Sequence, residues 1–456
     1  MAQSNQSSAM PVIHQNAAGI DIGSQFHVVA VPPDRTDKPV RTFKSFTGEL
    51  HAMAKWLKKC RVDTIAMEST GVYWIPAFEI LESYGFEVFL VNARAAKTVP
   101  GRKTDVNDAQ WLQKLHQFGL LQASFQPSQK IAGLRAYLRQ REKLLEYKAA
   151  HIQHMQKAMM QMNIQLQHVV TDVTGKTGLA IIRAIVQGQN DPNELVKLRD
   201  PHCKNSLEVM TAALTGSYKP EHLFALTQAL ELIDFYVEKI EACDRVIEST
   251  LKQLQQENDS TSPPPTLQKA RGRESSKNNP SFDVRQSLFS FIGIDLTQIH
   301  GIGSSVALKL IAECGTDMTK WPTSKHFTSW LCLAPCNKIS GGKILSSRTR
   351  RSSSKVATML RLAAVVVGKT NTALGAAYRR YAARIGKAKA VTAIARKLAI
   401  LFYNALRYGM AYVDKGANYY EEQYQKKVIN NLHRKADALG YTLQKKALSI
   451  SAAGVS

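Results

Sequence analysis

Four acidic side chains in the first quarter of the chain have the types and spacing of a metal-dependent catalytic site. Asp21 lies within a buried strand pattern, Gly-Ile-Asp-Ile-Gly, and Glu68 ends a second apolar strand pattern. Asp105 and Asp108 are three residues apart, on one face of a predicted helix. Carboxylates held close together repel one another unless a cation lies between them, and oxygen ligands of this kind suit Mg²⁺ or Mn²⁺. Any one of these acids is more simply a solvated turn or cap residue, but the set of four predicts a metal site for phosphodiester chemistry.

The Gly-Ile-Asp-Ile-Gly-Ser segment has a second possible meaning. An Asp-x-Gly-Ser turn after a strand also cradles phosphates in actin-like ATPases and sugar kinases. That interpretation requires a second such turn and a glycine-rich adenosine site, and the sequence contains neither.

Ser340 is the candidate for a second reactive group. It lies in Ile-Ser-Gly-Gly-Lys, between flexible glycines and many cations. Its hydroxyl could attack a phosphodiester, and nearby cations could stabilise the pentacovalent phosphate and lower the pKa of the hydroxyl. Most serines in such loops have no chemical role, so the spacing alone leaves both interpretations open. The basic residues that follow the serine are Lys343, Arg348, Arg350, Arg351 and Lys355.

The charge of the chain predicts a polyanionic partner. Of 456 residues, 60 are Lys or Arg and 36 are Asp or Glu, which gives a net charge of +24. Residues 318–413 hold 18 Lys or Arg and no Asp or Glu, an arrangement whose self-repulsion a nucleic acid would relieve. Within it, Arg379 and Arg380 are candidate contacts to a DNA backbone. We therefore expect DNA or RNA partners.

Hydropathy and cysteine usage indicate a cytoplasmic protein. No apolar run approaches the roughly 18 residues that a membrane span needs. The first sixteen residues are polar, lack a signal-peptide core and are expected to be disordered. The six cysteines are scattered without zinc spacing, which favours reduced structural cysteines.

The elements that must position these side chains fall into several predicted regions. Residues 17–125 read as three hairpin strands followed by alternating helices and strands, which is the ribonuclease-H-like order of an α/β domain. Residues 126–255 carry one heptad repeat of apolar residues at 131–166 and another at 223–254, separated by a helical insert at 168–217. Arg141 and Lys148 interrupt the first heptad, and Asp244 occupies a seam position of the second. These helices could form a coiled coil, within the chain or across a dimer, or an ordinary bundle.

The second half of the chain is predicted to be mainly helical. Residues 256–284 are a linker, 285–413 a helical domain and 414–456 a helical tail. The domain opens with Gly301 and Gly303 in Gly-Ile-Gly before a helix. This resembles a helix-hairpin-helix element, in which backbone amides contact a DNA phosphate, although a tight turn before a core helix is an equal alternative.

Both sets of motifs together resemble one family. Gly-Ile-Asp-Ile-Gly, Met-Glu-Ser-Thr-Gly and Lys-Thr-Asp-x-x-Asp-Ala are similar to the DEDD, RuvC-like transposases of the IS-one-ten group of bacterial insertion sequences, which includes the IS-eleven-eleven elements. Cys-Leu-Ala-Pro and Ser-Gly-Gly-Lys look like the transposase domain of that group. The likeness covers roughly 17–167 and 285–410.

The resemblance implies a recombinase guided by a structured noncoding (bridge) RNA that pairs with donor and target DNA. It implies Mg²⁺ on Asp21, Glu68, Asp105 and Asp108, and Ser340 as the nucleophile of a covalent phosphoserine link. It also implies a dimer that assembles to a tetramer, in which two subunits contribute to one active site, acting at the bacterial nucleoid. The family often has two serines before the glycines, whereas here Ile339 replaces the first. A RuvC-like nuclease in which water attacks, or a binding protein with degenerate acids, are the competing hypotheses.

Overall fold

A computed structural model of the chain describes residues 11–69, 71–92, 108–255, 263–266, 277–352, 354–411 and 415–444. The chain divides into two compact units, Met1–Gln126 and Pro127–Ser456, and each is described by itself. Within the described ranges, no helix is both long enough and apolar enough to cross a membrane.

The first unit is a five-stranded mixed sheet with helices on both faces. Its strands are β1 (Ala17–Ile22), β2 (Phe26–Ala30), β3 (Val40–Lys44), β4 (Thr64–Glu68) and β5 (Glu87–Val91), and its helices are α1 (Thr47–Lys59), α2 (Trp74–Ser83) and α3 (Asp108–Gln117). The strand order is β3-β2-β1-β4-β5. The first three strands pair antiparallel, while β4 pairs parallel to β1 and β5 pairs parallel to β4. The predicted α/β class is confirmed, and this arrangement is consistent with a ribonuclease-H-like fold.

Alternation along the strands divides the core of this unit into two layers. Ile20, Met67 and Leu90 belong to one cluster, which they share with residues of α1 and α2. Ala66 and Val91 belong to the other, together with residues of α3. Because successive strand residues point to opposite faces of a sheet, α3 covers the face from which Gly19 and Asp21 project.

Part of the N-terminal segment that we expected to be disordered is packed on this unit. The backbone amides of Ile13 and His14 donate hydrogen bonds to the carbonyl oxygen of Gln117, at 2.9 and 3.0 Å. The side chain of Asn16 donates to Asp63. The expectation of disorder is therefore wrong for 13–16, because α3 supplies a carbonyl acceptor at its C-terminal end; residues 1–10 lie outside the described ranges.

Two long helices, α4 (Gln129–Gln161) and α9 (Pro220–Gln255), pack against each other in the second unit. The predicted heptad at 131–166 is wrong at its end, because Asn163 adopts a left-handed conformation and α4 stops before Leu166. Val237, predicted in the seam of the second heptad, is exposed. The insert forms four short helices that share an apolar core with the ends of α4 and α9: α5 (Leu166–Val169), α6 (Lys176–Val186), α7 (Pro192–Val196) and α8 (Leu207–Leu214).

The described remainder of this unit is mainly helical, as predicted, and it also contains a hairpin that the sequence analysis did not predict. Its helices are α10 (Val284–Ile292), α11 (Ser304–Cys314), α12 (Ser324–Trp330), α13 (Lys355–Gly368), α14 (Ala373–Ile385), α15 (Lys387–Tyr408) and α16 (Gly416–Ala438). The hairpin consists of β6 (Lys338–Ser340) and β7 (Lys343–Ser346). Of the predicted linker, only 263–266 and 277–284 are described; 263–266 form neither helix nor strand.

Candidate active site

Asp21 and Glu68 are neighbours across two parallel strands. Ile20 of β1 pairs with Met67 of β4, so the next step along both strands brings Asp21 beside Glu68. Paired residues point to the same face of a sheet, and both side chains are half-buried. The register of the sheet therefore places these two acids side by side, and their joint role as metal ligands remains a prediction.

Gly19 lets the helix that begins at Asp108 approach the same face. A Cβ atom on Gly19 would lie 2.2 Å from the carbonyl oxygen of Ala109 and 2.4 Å from the backbone nitrogen of Gln113. The backbone of α3 therefore lies directly on β1, two residues before Asp21, and the half-buried Asp108 immediately precedes Ala109. Our sequence analysis missed this role of Gly19, although a glycine inside a strand pattern is a known signal of close backbone approach.

A buried histidine fastens the other end of α3 to the sheet. His116 is fully buried, and its Nε2 lies 2.9 Å from the hydroxyl of Thr64 at the start of β4. Its ring stacks on His14 and packs on Phe89, with 4.6 Å between centroids in each case. Burial, reinforced by the neighbouring His14, lowers the pKa of His116 to about 4. The ring is therefore neutral at physiological pH, and it fixes the helix that carries Asp108.

The donor set at this edge of the sheet suits a hard divalent cation. Asp21, Glu68 and Asp108 offer only carboxylate oxygens, which are the ligands that Mg²⁺ and Mn²⁺ prefer. Asp105, the fourth predicted ligand, lies outside the described residues. Within the described part of the chain, no three His, Cys, Asp or Glu side chains are close enough together to hold a metal ion. The backbone brings the three acids to one face, and the four-carboxylate cluster remains a prediction.

Ser340 lies at the tip of the exposed β6–β7 hairpin. It is the last residue of β6 and pairs with Lys343 across the turn. Gly341 and Gly342 have φ values of +55° and +72°, the two positive angles of a type I′ turn. At the base of the hairpin, the amide of Cys336 donates to the carbonyl oxygen of Arg348 at 3.0 Å. The hairpin therefore presents the serine hydroxyl and a lysine on one face.

The basic residues predicted to bind nucleic acid divide into two groups. Four of them contact other parts of the chain. Two form ion pairs, Lys355 with Glu142 at 2.9 Å and Arg380 with Glu421. Two donate hydrogen bonds to backbone carbonyl oxygens at 2.8 Å, Arg350 to Ser329 and Arg379 to Thr370. Lys343, Arg348 and Arg351 are exposed on or beside the hairpin. Arg379 therefore stabilises the C-terminal end of α13, a role that charge alone did not indicate.

Gly301 and Gly303 precede α11, as predicted. A Cβ atom on Gly301 would lie 2.4 Å from Cγ2 of Val367 on α13, so this glycine permits close packing inside the unit. Gly303 is the N-cap residue of α11. These contacts favour the structural interpretation of Gly301, and phosphate binding by the helix-hairpin-helix-like element remains a prediction.

Comparison with known families agrees with both ends of the chain. A model described as a transposase, the DEDD domain of the IS110 group, matches residues 18–164. A model described as a transposase of the IS116/IS110/IS902 family matches residues 295–379. These two domains define an enzyme that cuts and rejoins DNA. The chain belongs to the IS110 group of insertion-sequence transposases, and its DEDD domain suggests dependence on a divalent metal. No curated protein matches the chain.

Proposed function

We propose that the chain is an RNA-guided DNA recombinase that cuts and exchanges strands through Ser340, assisted by Mg²⁺ on Asp21, Glu68, Asp105 and Asp108. The observation that carries the metal site is the register that makes Asp21 and Glu68 neighbours, together with the contact of α3 on Gly19. A bound divalent cation would polarise the phosphate and neutralise charge on its oxygens.

The hairpin supports a nucleophilic role for Ser340. Its exposed tip can approach a phosphodiester without rearrangement of a core, and Lys343 lies opposite the serine. In the proposed step, Oγ of Ser340 forms a bond to phosphorus and the P–O3′ bond breaks. The hydroxyl proton is released and the 3′ oxygen leaves as a hydroxyl group. Because a phosphoester replaces a phosphoester, the strand can rejoin to a new 3′ hydroxyl without ATP.

Guidance by a bridge RNA rests on the family and on charge. The chain carries a net charge of +24, and a polyanion would relieve the repulsion within 318–413. Base pairing by RNA would supply sequence choice, as it does in other guided systems. We propose donor DNA, target DNA and the noncoding RNA as partners, and a dimer, with α4 and α9 as a coiled-coil seam, that assembles to a tetramer.

A covalent-capture experiment tests the proposal. The protein is incubated with Mg²⁺, the RNA transcribed from the noncoding DNA beside its gene, and labelled donor and target DNA, and adducts are resolved on denaturing gels. The unmodified protein and the control Ser347→Ala should form a protein–DNA adduct, and Ser340→Ala should form none. Ser347 is exposed in the same segment, so it controls for local disturbance.

Two outcomes would contradict the proposal. Cleavage by Ser340→Ala without an adduct would identify water as the nucleophile and the chain as a metal-dependent nuclease. Full recombination by the double variant Asp21→Ala, Glu68→Ala would show that these acids are not the metal ligands.

A further inference from the structure

The C-terminal helix α16 lies on a cationic and aromatic face of α14 and α15. Arg380 of α14 pairs with Glu421 of α16, and its guanidinium carbon lies 3.6 Å from the ring centroid of Tyr424. Lys397 Nζ of α15 lies 5.7 Å from the ring centroid of Tyr420. One stretch of α16 therefore offers a carboxylate and two aromatic rings to the cations beneath it.

The covered face has its own aromatic platform. The ring centroid of Tyr381 on α14 lies 5.4 Å from Nζ of Lys397 and 5.8 Å from the guanidinium carbon of Arg384. Cations beside an aromatic ring are the two components of a groove for single-stranded nucleic acid, because the cations bind phosphates and the ring stacks on a base. In the chain itself, Glu421 supplies the anion beside Arg380, and Tyr424 and Tyr420 place aromatic rings beside Arg380 and Lys397.

The contact of α16 with this face is open to solvent. None of the residues of α16 is buried, and Val428, Ile429 and Leu432 are exposed along its second half. The side chain of Glu421 is 41% exposed, so solvent screens its pair with Arg380. The Nε atom of Arg380 is buried and has no hydrogen-bond partner among the described residues, which leaves a donor that a phosphate oxygen could satisfy.

The charge of the surrounding sequence explains why an acidic residue of α16 is attracted to the basic face of α14 and α15. Residues 318–413 contain no acid, so the carboxylate of Glu421 comes from beyond the basic stretch that it neutralises. The family match ends at residue 379, before α15 and α16 begin. A nucleic acid offers phosphates and bases in place of the carboxylate and rings of α16, at higher charge density, and would therefore compete with α16 for this face.

We propose that the face formed by Arg380, Tyr381, Arg384 and Lys397 binds single-stranded nucleic acid, and that α16 occupies it in the nucleic-acid-free chain. Unpaired bases are required because only they expose a ring to Tyr381. The inference does not depend on which residue attacks the phosphate. Strand binding at this face would couple loading of nucleic acid to release of the C-terminal helix.

Binding of a fluorescein-labelled 20-mer of thymidine to the full-length chain, measured by anisotropy at two salt concentrations, tests the cover. Glu421→Ala should bind about threefold more tightly than the matched control Glu422→Ala, which removes an equal charge from an exposed site on the same helix. Tyr424→Ala should bind more tightly than Tyr419→Ala, whose ring contacts Lys415 within the same segment. Equal affinities within both matched pairs would overturn the proposal that α16 covers the face.

Binding by variants of the face itself tests the site. Arg380→Gln should weaken binding of the oligonucleotide about tenfold, whereas Lys157→Gln, an exposed cation on α4, should have much less effect. With 2-aminopurine in the strand, quenching on binding should be reduced in Tyr381→Leu, because the ring that stacks on the base is absent.

Three results would overturn the site. The first is an equal loss of oligonucleotide affinity in Arg380→Gln and Lys157→Gln. The second is unchanged quenching of 2-aminopurine fluorescence in Tyr381→Leu. The third is an affinity gain of Glu421→Ala over Glu422→Ala that is larger for duplex DNA than for the single strand. The circular dichroism and thermal midpoint of each variant are measured alongside, and Arg380→Lys should retain more binding than Arg380→Gln if charge at this position, rather than folding, is what matters.

Discussion

Arg141 of α4 and Asp244 of α9 form a buried ion pair, in which Nε donates to Oδ1 at 2.5 Å. The same pair holds the chain that leads into α10: Arg141 Nη1 donates to the carbonyl oxygen of Asn278 at 2.9 Å, and the amide of Ser281 donates to Asp244 Oδ2 at 3.1 Å. Two residues that the heptads identified separately, as an interruption and as a polar seam position, are thus partners. They join both long helices and the entry to the C-terminal helices.

Removing one member of this pair should destabilise the second unit strongly. In Asp244→Ala, a buried guanidinium loses its counter-charge and the amide of Ser281 loses its acceptor, at a cost of about 3–5 kcal/mol. Asp234→Ala, on the same helix, breaks a pair with Arg183 that is nearly half exposed and should cost less than about 1 kcal/mol. Urea unfolding followed by circular dichroism measures both.

Replacing both members of the pair separates its two roles. The double variant Arg141→Met, Asp244→Leu removes the buried charges together, so it should recover part of the stability that Asp244→Ala loses. It should not recover all of it, because Asn278 and Ser281 still lack their partners. A double variant less stable than Asp244→Ala would contradict this account.

Gly19→Ala should displace α3 from the sheet. The added Cβ would lie 2.2 Å from a backbone oxygen and 2.4 Å from a backbone nitrogen, neither of which can rotate away. We expect a loss of about 2 kcal/mol or more in the first unit, and loss of metal-dependent cleavage because Asp108 moves with the helix. Gly48→Ala in α1, where the added atom meets nothing within 4 Å, is the matched control and should be neutral or slightly stabilising. Normal cleavage by Gly19→Ala would show that the approach of α3 does not position Asp108.

The first unit should lose stability in mild acid because of His116. Its pKa is about 4 in the folded chain against 6.5 for an ordinary histidine, so the unfolded chain takes up the proton first as pH falls. Stability should be full above pH 6.5 and decline towards pH 4, by about 3 kcal/mol in total. Burial lowers the pKa of His27 as well, which contributes in the same direction.

Unfolding of the unit followed by tryptophan fluorescence, between neutral pH and pH 4, measures this dependence. His116→Gln should show a weaker decline, since Gln does not titrate. An equal decline in His116→Gln would assign the acid sensitivity to other groups.

The parts of the fold that residue types determine were predictable. Alternating and continuous apolar runs located the five strands and the main helices, because burial of one or both faces sets those patterns. Close approach of backbones was not predictable in the same way. The packing of α3 on Gly19 depends on which two elements meet, and the pattern of side chains around a glycine does not specify its neighbour.

The charged residues show the same limit. The count of cations predicted a DNA or RNA partner, and the transposase family implies DNA. The count could not distinguish Arg379, which donates to a carbonyl oxygen after α13, from Arg348, which is exposed beside the hairpin. That distinction depends on which backbone acceptors lie within reach of a long side chain. Likewise, nothing in the sequence of α16 indicated that Glu421 would pair with Arg380.

The turn between β6 and β7 should control the reactivity of Ser340. Gly341 has a φ of +55°, which side chains with a Cβ adopt at a cost of about 1–2 kcal/mol, except that Asn tolerates it well. Gly341→Asn should therefore retain adduct formation, and Gly341→Val should reduce it severely, since a β-branched residue would open the turn and move the serine. The two variants have the same exposed surroundings, with nothing within 4 Å of an added Cβ, so a clash cannot explain a difference between them. Equal adduct yields from Asn and Val, measured in the covalent-capture assay, would show that the hairpin geometry does not position the hydroxyl.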